Sequence, residues 1–422
     1  MHILSKSTYI KGLQCEKALY MQKKHPYLRD KLSIEQRAKF QRGTDVGVLA
    51  HEVFPNGIDM SPNSPSQFPK KVKETWDNLI NPEVKVMYEA VFQHNDTLIM
   101  LDMLVRDGDK WLAVEVKSSL RLSDTYYNDA ALQYYVLHGC GVPLSDFRLM
   151  YLNGDYMKNG PIDVNQLFKM ESVMEYVVER EAFVAQNVER LKAVVALPHA
   201  PVVEIGEQCD NPYPCDFYGH CWKHVREPNF YTIDYKTLYS LAPQPKPKSA
   251  AYLNLLLYRP AVPELEGTRP YEEMILAFAL QGEHESEGCF VWDCFDDHSR
   301  WKEAIDLLIE KLSHYELIVC FTPQNLSTTL LRHEIIQNQT VGYKIFNLFE
   351  VLQQSNFYHP AIKRGLTLQR LETALFSDVK LFEHSRILLE ATSNDLISYQ
   401  QAREDLITEN EIVAKTYQLF FK

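Results

Sequence analysis

No apolar run in the chain approaches the ~20 residues needed to cross a bilayer, which excludes an integral helical membrane protein. The opening, Met1-His-Ile-Leu-Ser-Lys-Ser7, has no apolar core of the kind a secretory leader carries, so a cytoplasmic location is expected. Repeats and low-complexity tracts are absent, which excludes solenoids and arrays. Eight cysteines in 422 residues are too few for a disulfide scaffold, and in a reducing compartment they are expected to be thiols or metal ligands. What remains is 45% hydrophobic and 24% charged, the balance of a globular chain of two or three domains.

The net charge is −12, unevenly spread. Residues 249–422 carry 15 Lys and Arg against 25 acids, whereas residues 1–50 carry 10 against 4. A basic opening, with Lys6, Lys11, Lys17, Lys23 and Lys24, offers candidate phosphate contacts, and the acidic half should turn away from nucleic acid. Three prolines in Leu241-Ala-Pro-Gln-Pro-Lys-Pro-Lys-Ser249 mark an extended seam. The expected organisation is a first domain over 1–228, a linker over 229–249 and a second domain over 250–422.

Local patterns in the first domain give a helix over Ser7–Lys23 and another from Ile34 to Val53, broken by Gly43 and Gly47. Lys85–Phe92, Asp96–Arg106 and Lys110–Ser118 read as strands joined by tight turns, with a helix over Asp129–His138 and a strand over Phe147–Leu152. Val164–Val194 reads as one long amphipathic helix. In the second domain, Ala250–Tyr258, Met274–Gln281, Cys289–Cys294 and Tyr315–Phe321 read as strands, with helices over Trp301–Leu312 and after Asn325. The fold class is α/β, a mixed sheet with flanking helices followed by a second α/β domain.

The chemistry-bearing pattern is Leu98-Ile-Met-Leu-Asp102, a turn at Asp107-Gly108-Asp109, then Trp111-Leu-Ala-Val-Glu115-Val-Lys117. Side chains alternate along a strand, so Glu115 and Lys117 share a face, and a hairpin sets Asp102 beside Glu115. Two such carboxylates can bind Mg²⁺ or Mn²⁺, with Lys117 placed to orient water or offset phosphorane charge. His51, as a neutral imidazole, can complete the metal shell. Gln133, with Tyr134 and Tyr135, lies on a helix able to cover the sheet.

His51, Asp102, Glu115-Val-Lys117 and Gln133 resemble, in order and interval, the PD-(D/E)XK nuclease superfamily, in particular its RecB-like and CRISPR-adaptation Fe–S branch. The departure is that Tyr134 and Tyr135 follow Gln133 directly, with Leu137 where the family's tyrosine stands. The resemblance covers about residues 1–225. It implies a restriction-endonuclease-like mixed sheet and a deoxyribonuclease of DNA repair, recombination or phage defence, with DNA as partner.

Cys209-x5-Cys215-x5-Cys221 lies in turn-forming sequence and can converge on one metal or cluster, with a fourth ligand among Cys15, Cys140, His220 and His224. The same resemblance implies Cys15, and a 4Fe–4S cluster joining the ends of the first domain. A zinc ion on the same four cysteines would make the same staple. Cys140, Cys289, Cys294 and Cys320 show no ligand spacing and read as core.

After the seam, Ala251-Tyr-Leu-Asn254-Leu-Leu256 and Gly267-Thr-Arg-Pro-Tyr271 resemble a DnaQ-like (RNase H-like) exonuclease domain, as in a little-characterised bacterial two-domain group. Asn254 and Leu256 stand where that family has acids. Cys320–Leu326 and Phe346-Asn347 likewise lack them, and Glu411 is the loose match to the final acid. Without those carboxylates two-metal cleavage fails, so the second domain is expected to be a pseudo-exonuclease serving a protein partner or self-association. The rival reading of the whole chain is a non-catalytic nucleic-acid-binding or scaffold protein.

Overall fold

The computed structural model describes residues 3–32, 34–225, 230–283, 288–322, 344–362, 365–376 and 396–422. It forms two compact units: Met1–Val225 with Ala261–Tyr271, and Arg226–Pro260 with Glu272–Lys422. Residues 261–271, expected in the second domain, thus join the first. There Tyr271 Oη donates to the Ser118 carbonyl at 2.6 Å and Lys158 pairs with Glu266 at 2.6 Å. Upstream of the proline seam, Tyr235–Ser240 is a short helix with Leu238 fully buried, so the linker is not extended throughout.

The first unit is built on a mixed seven-stranded sheet. Its strands are β1 (Leu4–Ser5), β2 (Ile58–Asp59), β3 (Val86–His94), β4 (Thr97–Asp107), β5 (Lys110–Lys117), β6 (Leu144–Leu152) and β7 (Phe168–Ser172). They run in the order β2-β3-β4-β5-β6-β7, with β1 beside β4. Two-residue turns set the register of the β3-β4-β5 meander. Asn95 and Asp96 both take positive φ, and Gly108 supplies it in the second turn. Helices α1 (Lys6–Gln14), α2 (Glu16–Lys24), α3 (Ile34–Ala50), α4 (Phe68–Leu79) and α5 (Asp124–Gly139) surround it. The α5 crossover makes β5 and β6 parallel.

Three expectations about helices change. Ser7–Lys23 is two helices, because Cys15 is extended (φ −159°) and breaks the ladder between them. Gly43 and Gly47 do not break α3, which runs unbroken from Ile34 to Ala50; a glycine weakens a helix without ending it. Val164–Val194 is not one helix, since β7 interrupts it at Phe168–Ser172 and pairs with β6. Ladder pairing outweighed helical spacing there.

The second unit holds β8 (Ala250–Tyr258), β9 (Met274–Gly282), β10 (Phe290–Asp293), β11 (Leu317–Cys320) and β12 (Lys344–Asn347). The order is β10-β9-β8-β11-β12, antiparallel among the first three and parallel among β8, β11 and β12. Helices Trp301–Leu312 and Leu396–Phe421 pack on β9 and β8. Both units are mixed α/β. Among the described residues no helix is long and apolar enough to cross a membrane.

Candidate functional site

The β3-β4 pair carries a fault at its centre. Val86 and Tyr88 pack into one core, yet Ala90 and Phe92, of the same parity, pack into the core on the other face. On β4, Met103 joins Tyr88, whereas Ile99 and Leu101 join Ala90. Both slips fall between the register pairs Tyr88↔Met103 and Ala90↔Leu101, that is, at Glu89 and Asp102. Glu89 has φ +51°, a left-handed value uncommon for a residue other than glycine. Two acids therefore interrupt an otherwise apolar pair of strands.

On its other edge β4 pairs with β1 at Thr97 and Leu98, and with β5 from Met103 onward. Asp102 sits in the gap. Its Oδ2 accepts from Val116 N–H at 2.6 Å, replacing the ladder partner that β5 lacks there. The β4-β5 ladder ends at Met103↔Val114, one step short of Asp102 and Glu115, and the two carboxyl groups lie close enough to act on each other. Lys117, two residues on, shares Glu115's face, as the sequence spacing requires.

Glu115 is almost wholly buried, and its Oε1 accepts from Lys117 Nζ at 2.6 Å and Lys6 Nζ at 2.7 Å. Lys117 also donates to Asp129 Oδ2 at 2.5 Å. Burial raises the Glu115 carboxyl, but Lys117 and Lys6 outweigh it and hold the group well below the usual range. Asp102 goes the opposite way. Burial first, then the Glu115 charge, pushes its carboxyl up to about 8. Burial likewise raises Glu89 and Asp129, against the pull of the lysines. This group of four acids and two lysines has orphans: Glu115 Oε2 and Asp129 Oδ1 are buried with no hydrogen-bond partner among the described residues.

Gln133 follows Asp129 by one turn of α5, on the same helix face. It is fully buried, and both ends of its amide lack a partner among the described residues. An unsatisfied buried amide costs about 1–3 kcal/mol. Gln133→Leu should therefore raise stability against urea by about 1 kcal/mol while impairing any activity that uses the amide. The tyrosines beside it serve packing, since Tyr134 stacks on His138 and Tyr135 Oη accepts from Asn95 at 2.9 Å.

His51 is not drawn into this acid–lysine group. Its ring stacks on Tyr88 at 3.8 Å, and Asp59 is the acid acting on it. Burial lowers its pKa and favours the neutral imidazole. Asp59 in turn acts on Glu89, so His51 stands at the outer end of the acidic series. Among the described residues no three His, Cys, Asp or Glu side chains converge closely enough to hold a metal ion as they stand. The lysines explain this for Glu115, whose Oε1 is already engaged.

Glu89 and Asp129 went unread in the sequence. Glu89 had a signal, as the one charge within Val86-Met-Tyr-Glu-Ala-Val-Phe92. Asp129 had one in its i, i+4 relation to Gln133. Lys6, read as a phosphate contact, lies instead on Glu115, and Lys11 pairs with Asp216 and Gln22.

The four cysteines singled out by sequence line one small cavity with Lys17, Ala18 and Phe217. Cys15 enters from the α1–α2 break, and the other three come from a tail docked on those helices. Gln14 donates to the carbonyls of Gln208 and Tyr213 at 2.8 and 2.7 Å, and Gly219 N–H donates to Asp30 at 2.9 Å. All four are free thiols. Burial pushes Cys215 up to about 11, with Cys15, Cys209 and Cys221 adding to the shift. Phe217 N–H points at its Sγ from 3.4 Å. Cys294 and Cys320 are buried, as expected of core residues, whereas Cys140 and Cys289 are only part-buried.

In the second unit Asn254 Nδ2 donates to Glu409 Oε2 at 2.9 Å, and Gln369 donates to Oε1 at 2.7 Å. The acid facing Asn254 is thus Glu409, not Glu411, which is exposed and pairs with Lys415. Leu256 is buried, and Asn347 caps the helix Leu348–Gln354 and brackets Thr322. Residues 323–326 of the stretch matched to an Asn and an acid lie outside the described residues. Asn254→Asp would set two buried carboxylates together. It should lower the unit's stability by about 3 kcal/mol at pH 7 and by less at pH 4, which thermal melts at the two pH values would read.

No family model matches the chain, and no curated protein matches it. Among solved structures, that described as "Crystal structure of SSO0001" aligns at 10% identity with a TM-score of 0.18. The alignment covers 47% of this chain and 87% of that one.

Proposed function

We propose that the first unit is a divalent-metal-dependent deoxyribonuclease of the PD-(D/E)XK, RecB-like type, stapled by a 4Fe–4S cluster. The observation that carries this reading is Asp102 close enough to Glu115 to feel its charge, beside Lys117 on Glu115, with a buried Glu115 oxygen left without a donor among the described residues. Asp102 and Glu115 would hold Mg²⁺ or Mn²⁺, with Glu89 near enough to act on both. When bound, such an ion supplies a polarised phosphodiester and a water of lowered pKa.

The chain's own groups do the rest. Lys117 is kept protonated because Asp129 and Glu115 outweigh its burial, so it presents a fixed positive charge to a developing phosphorane. Gln133 offers an uncommitted amide for orienting substrate. Asp129 holds Lys117 from behind, in the sense of a positioning residue. His51, neutral and stacked on Tyr88, remains the candidate third ligand, with Asp59 the acid acting on it. Cys15, Cys209, Cys215 and Cys221 would hold the cluster, zinc being the alternative on the same thiols.

For the second unit, the five-stranded sheet and the Asn254–Glu409 contact support an RNase H-like domain whose first-strand acids are replaced by Asn254 and Leu256. Its role would then be contact with a protein partner or a second copy. Incubating the purified chain with single- and double-stranded DNA and Mn²⁺ tests the proposal. Cleavage that Lys117→Ala removes supports it, and cleavage by neither form favours a non-catalytic DNA-binding scaffold.

A pH dependence follows. In the ion-free fold Asp102 keeps its proton up to about pH 8, whereas unfolded it titrates near 4. The folded state then binds the extra proton, so this group's contribution to stability falls as pH rises from about 4 to about 8. Mn²⁺ must displace that proton. Binding at pH 7 should release close to one proton per ion and tighten toward pH 8, as calorimetry in buffers of different ionisation enthalpy would measure.

A further inference from the structure

Two ammonium groups share one oxygen of Glu115, and they are not held alike. Lys117 donates to Asp129 as well, at 2.5 Å, and its side chain is 12% exposed. Lys6 lies 3.9 Å from that second carboxylate and is 30% exposed. Of the two, Lys6 has one carboxylate rather than two within hydrogen-bonding distance, and its side chain is the more exposed. Its backbone has no such freedom, because Leu4 and Ser5 are paired to β4 and Lys6 begins α1. Only the four-carbon side chain can move, and such a stem readily carries its ammonium out to solvent.

The carboxylates around it are arranged for more positive charge than the lysines supply. Glu115 Oε2 and Asp129 Oδ1 are buried without a donor among the described residues. An ammonium 2.7 Å from Glu115 Oε1 satisfies half of that carboxylate and repels any second cation approaching the other half.

We propose that Lys6 is a displaceable internal cation, which holds Glu115 while the site is free of metal and yields it to an arriving divalent ion. This rests on the reading of Asp102 and Glu115 as ion-binding carboxylates. Two consequences follow. Glu115 never stands unpaired in the buried site, so the fold does not depend on the ion. Ion binding becomes a competition with a tethered ammonium, so the apparent affinity of the site for the ion is lowered. Lys6 is thus a positioning residue, and it takes no part in bond cleavage.

The experiment is a Mn²⁺ titration of the full chain, following the resonance of the free ion, with wild type, Lys6→Met, Lys6→Arg and Glu115→Gln. Wild type should bind and Glu115→Gln should not. Lys6→Met should bind at least about tenfold more tightly, since a full positive charge near the ion is gone, and Lys6→Arg should return to the wild-type value. Lys6→Gln repeats the test should Lys6→Met fail to melt cooperatively. Unchanged or weaker binding by the uncharged variants, with Glu115→Gln still defective, would overturn the role of Lys6 and leave the ion site standing. Equal binding by wild type and Glu115→Gln, or none by any form, would overturn both.

Discussion

Glu115→Gln will abolish Mn²⁺-dependent DNA cleavage and Mn²⁺ binding together, whereas Lys117→Ala will abolish cleavage and keep binding. The two substitutions separate because the residues do different things from one face of β5. Glu115 brings the negative charge that an ion needs; an amide of the same shape cannot. Lys117 brings a proton donor and a positive charge, which Asp129 and Glu115 keep protonated. Loss of a preorganised donor of that kind lowers turnover by on the order of 10²–10³-fold. The stability effects differ as well. In Glu115→Gln, Lys6 loses its carboxylate at 2.7 Å while Lys117 retains Asp129. Removing one member of a buried ionic group costs about 3–5 kcal/mol, so urea unfolding of the ion-free protein should shift by about 3 kcal/mol. In Lys117→Ala, Glu115 keeps Lys6 and the shift should be smaller.

Cys215→Ser will bleach any broad visible absorption of the anaerobically purified protein and lower the melting temperature of the first unit by on the order of 10 °C. The argument is one of chain connection. Cys15 sits at the break between α1 and α2, and Cys209, Cys215 and Cys221 come from residues nearly two hundred positions later, yet all four line one cavity. A metal group bridging them would close that whole loop, and its binding free energy would be folding free energy. Without it, the tail is held by hydrogen bonds with Gln14 and Asp30, by the ion pairs of Asp216 with Lys11 and Arg29, and by the small core of Ala18, Met21 and Phe217. A colourless wild-type protein containing zinc, with the same loss of stability on substitution, would assign the staple to zinc. A colourless, metal-free wild type unaffected by the substitution would remove it.

The β3-β4-β5 meander was legible because its turns are short and chemically explicit, and Glu-x-Lys on a strand can point only one way. Counting across the second turn brought Asp102 toward Glu115, and in the structure the two act on each other just beyond the end of the β4-β5 ladder. Glu89 was not legible in the same manner. Glu89 falls across from Asp102, between the pairs Tyr88↔Met103 and Ala90↔Leu101, but nothing in the sequence announces the double slip there or the φ of +51° at Glu89. Asp129 was lost because a helical acid one turn before Gln133 looks like any solvated charge. Lys6 and Lys11 were read from composition as phosphate-facing, but their partners are acids far along the chain, which composition does not reveal. The interruption of Val164–Val194 by β7 failed for a related reason: an edge strand is defined by its neighbour β6, not by its own periodicity. His51 was read as a metal ligand from its place at the end of a helix and its order in the chain; its stacking on Tyr88 and its tie to Asp59 were not legible there.

The proposed function requires one ion-sized position between Asp102 and Glu115. Anomalous scattering from a Mn²⁺-soaked crystal tests it directly. A peak bounded by the Asp102 and Glu115 carboxylates, with the Lys6 ammonium moved off Glu115, is the expected result. A map with Mn²⁺ elsewhere and Lys6 still bonded to Glu115 would contradict it.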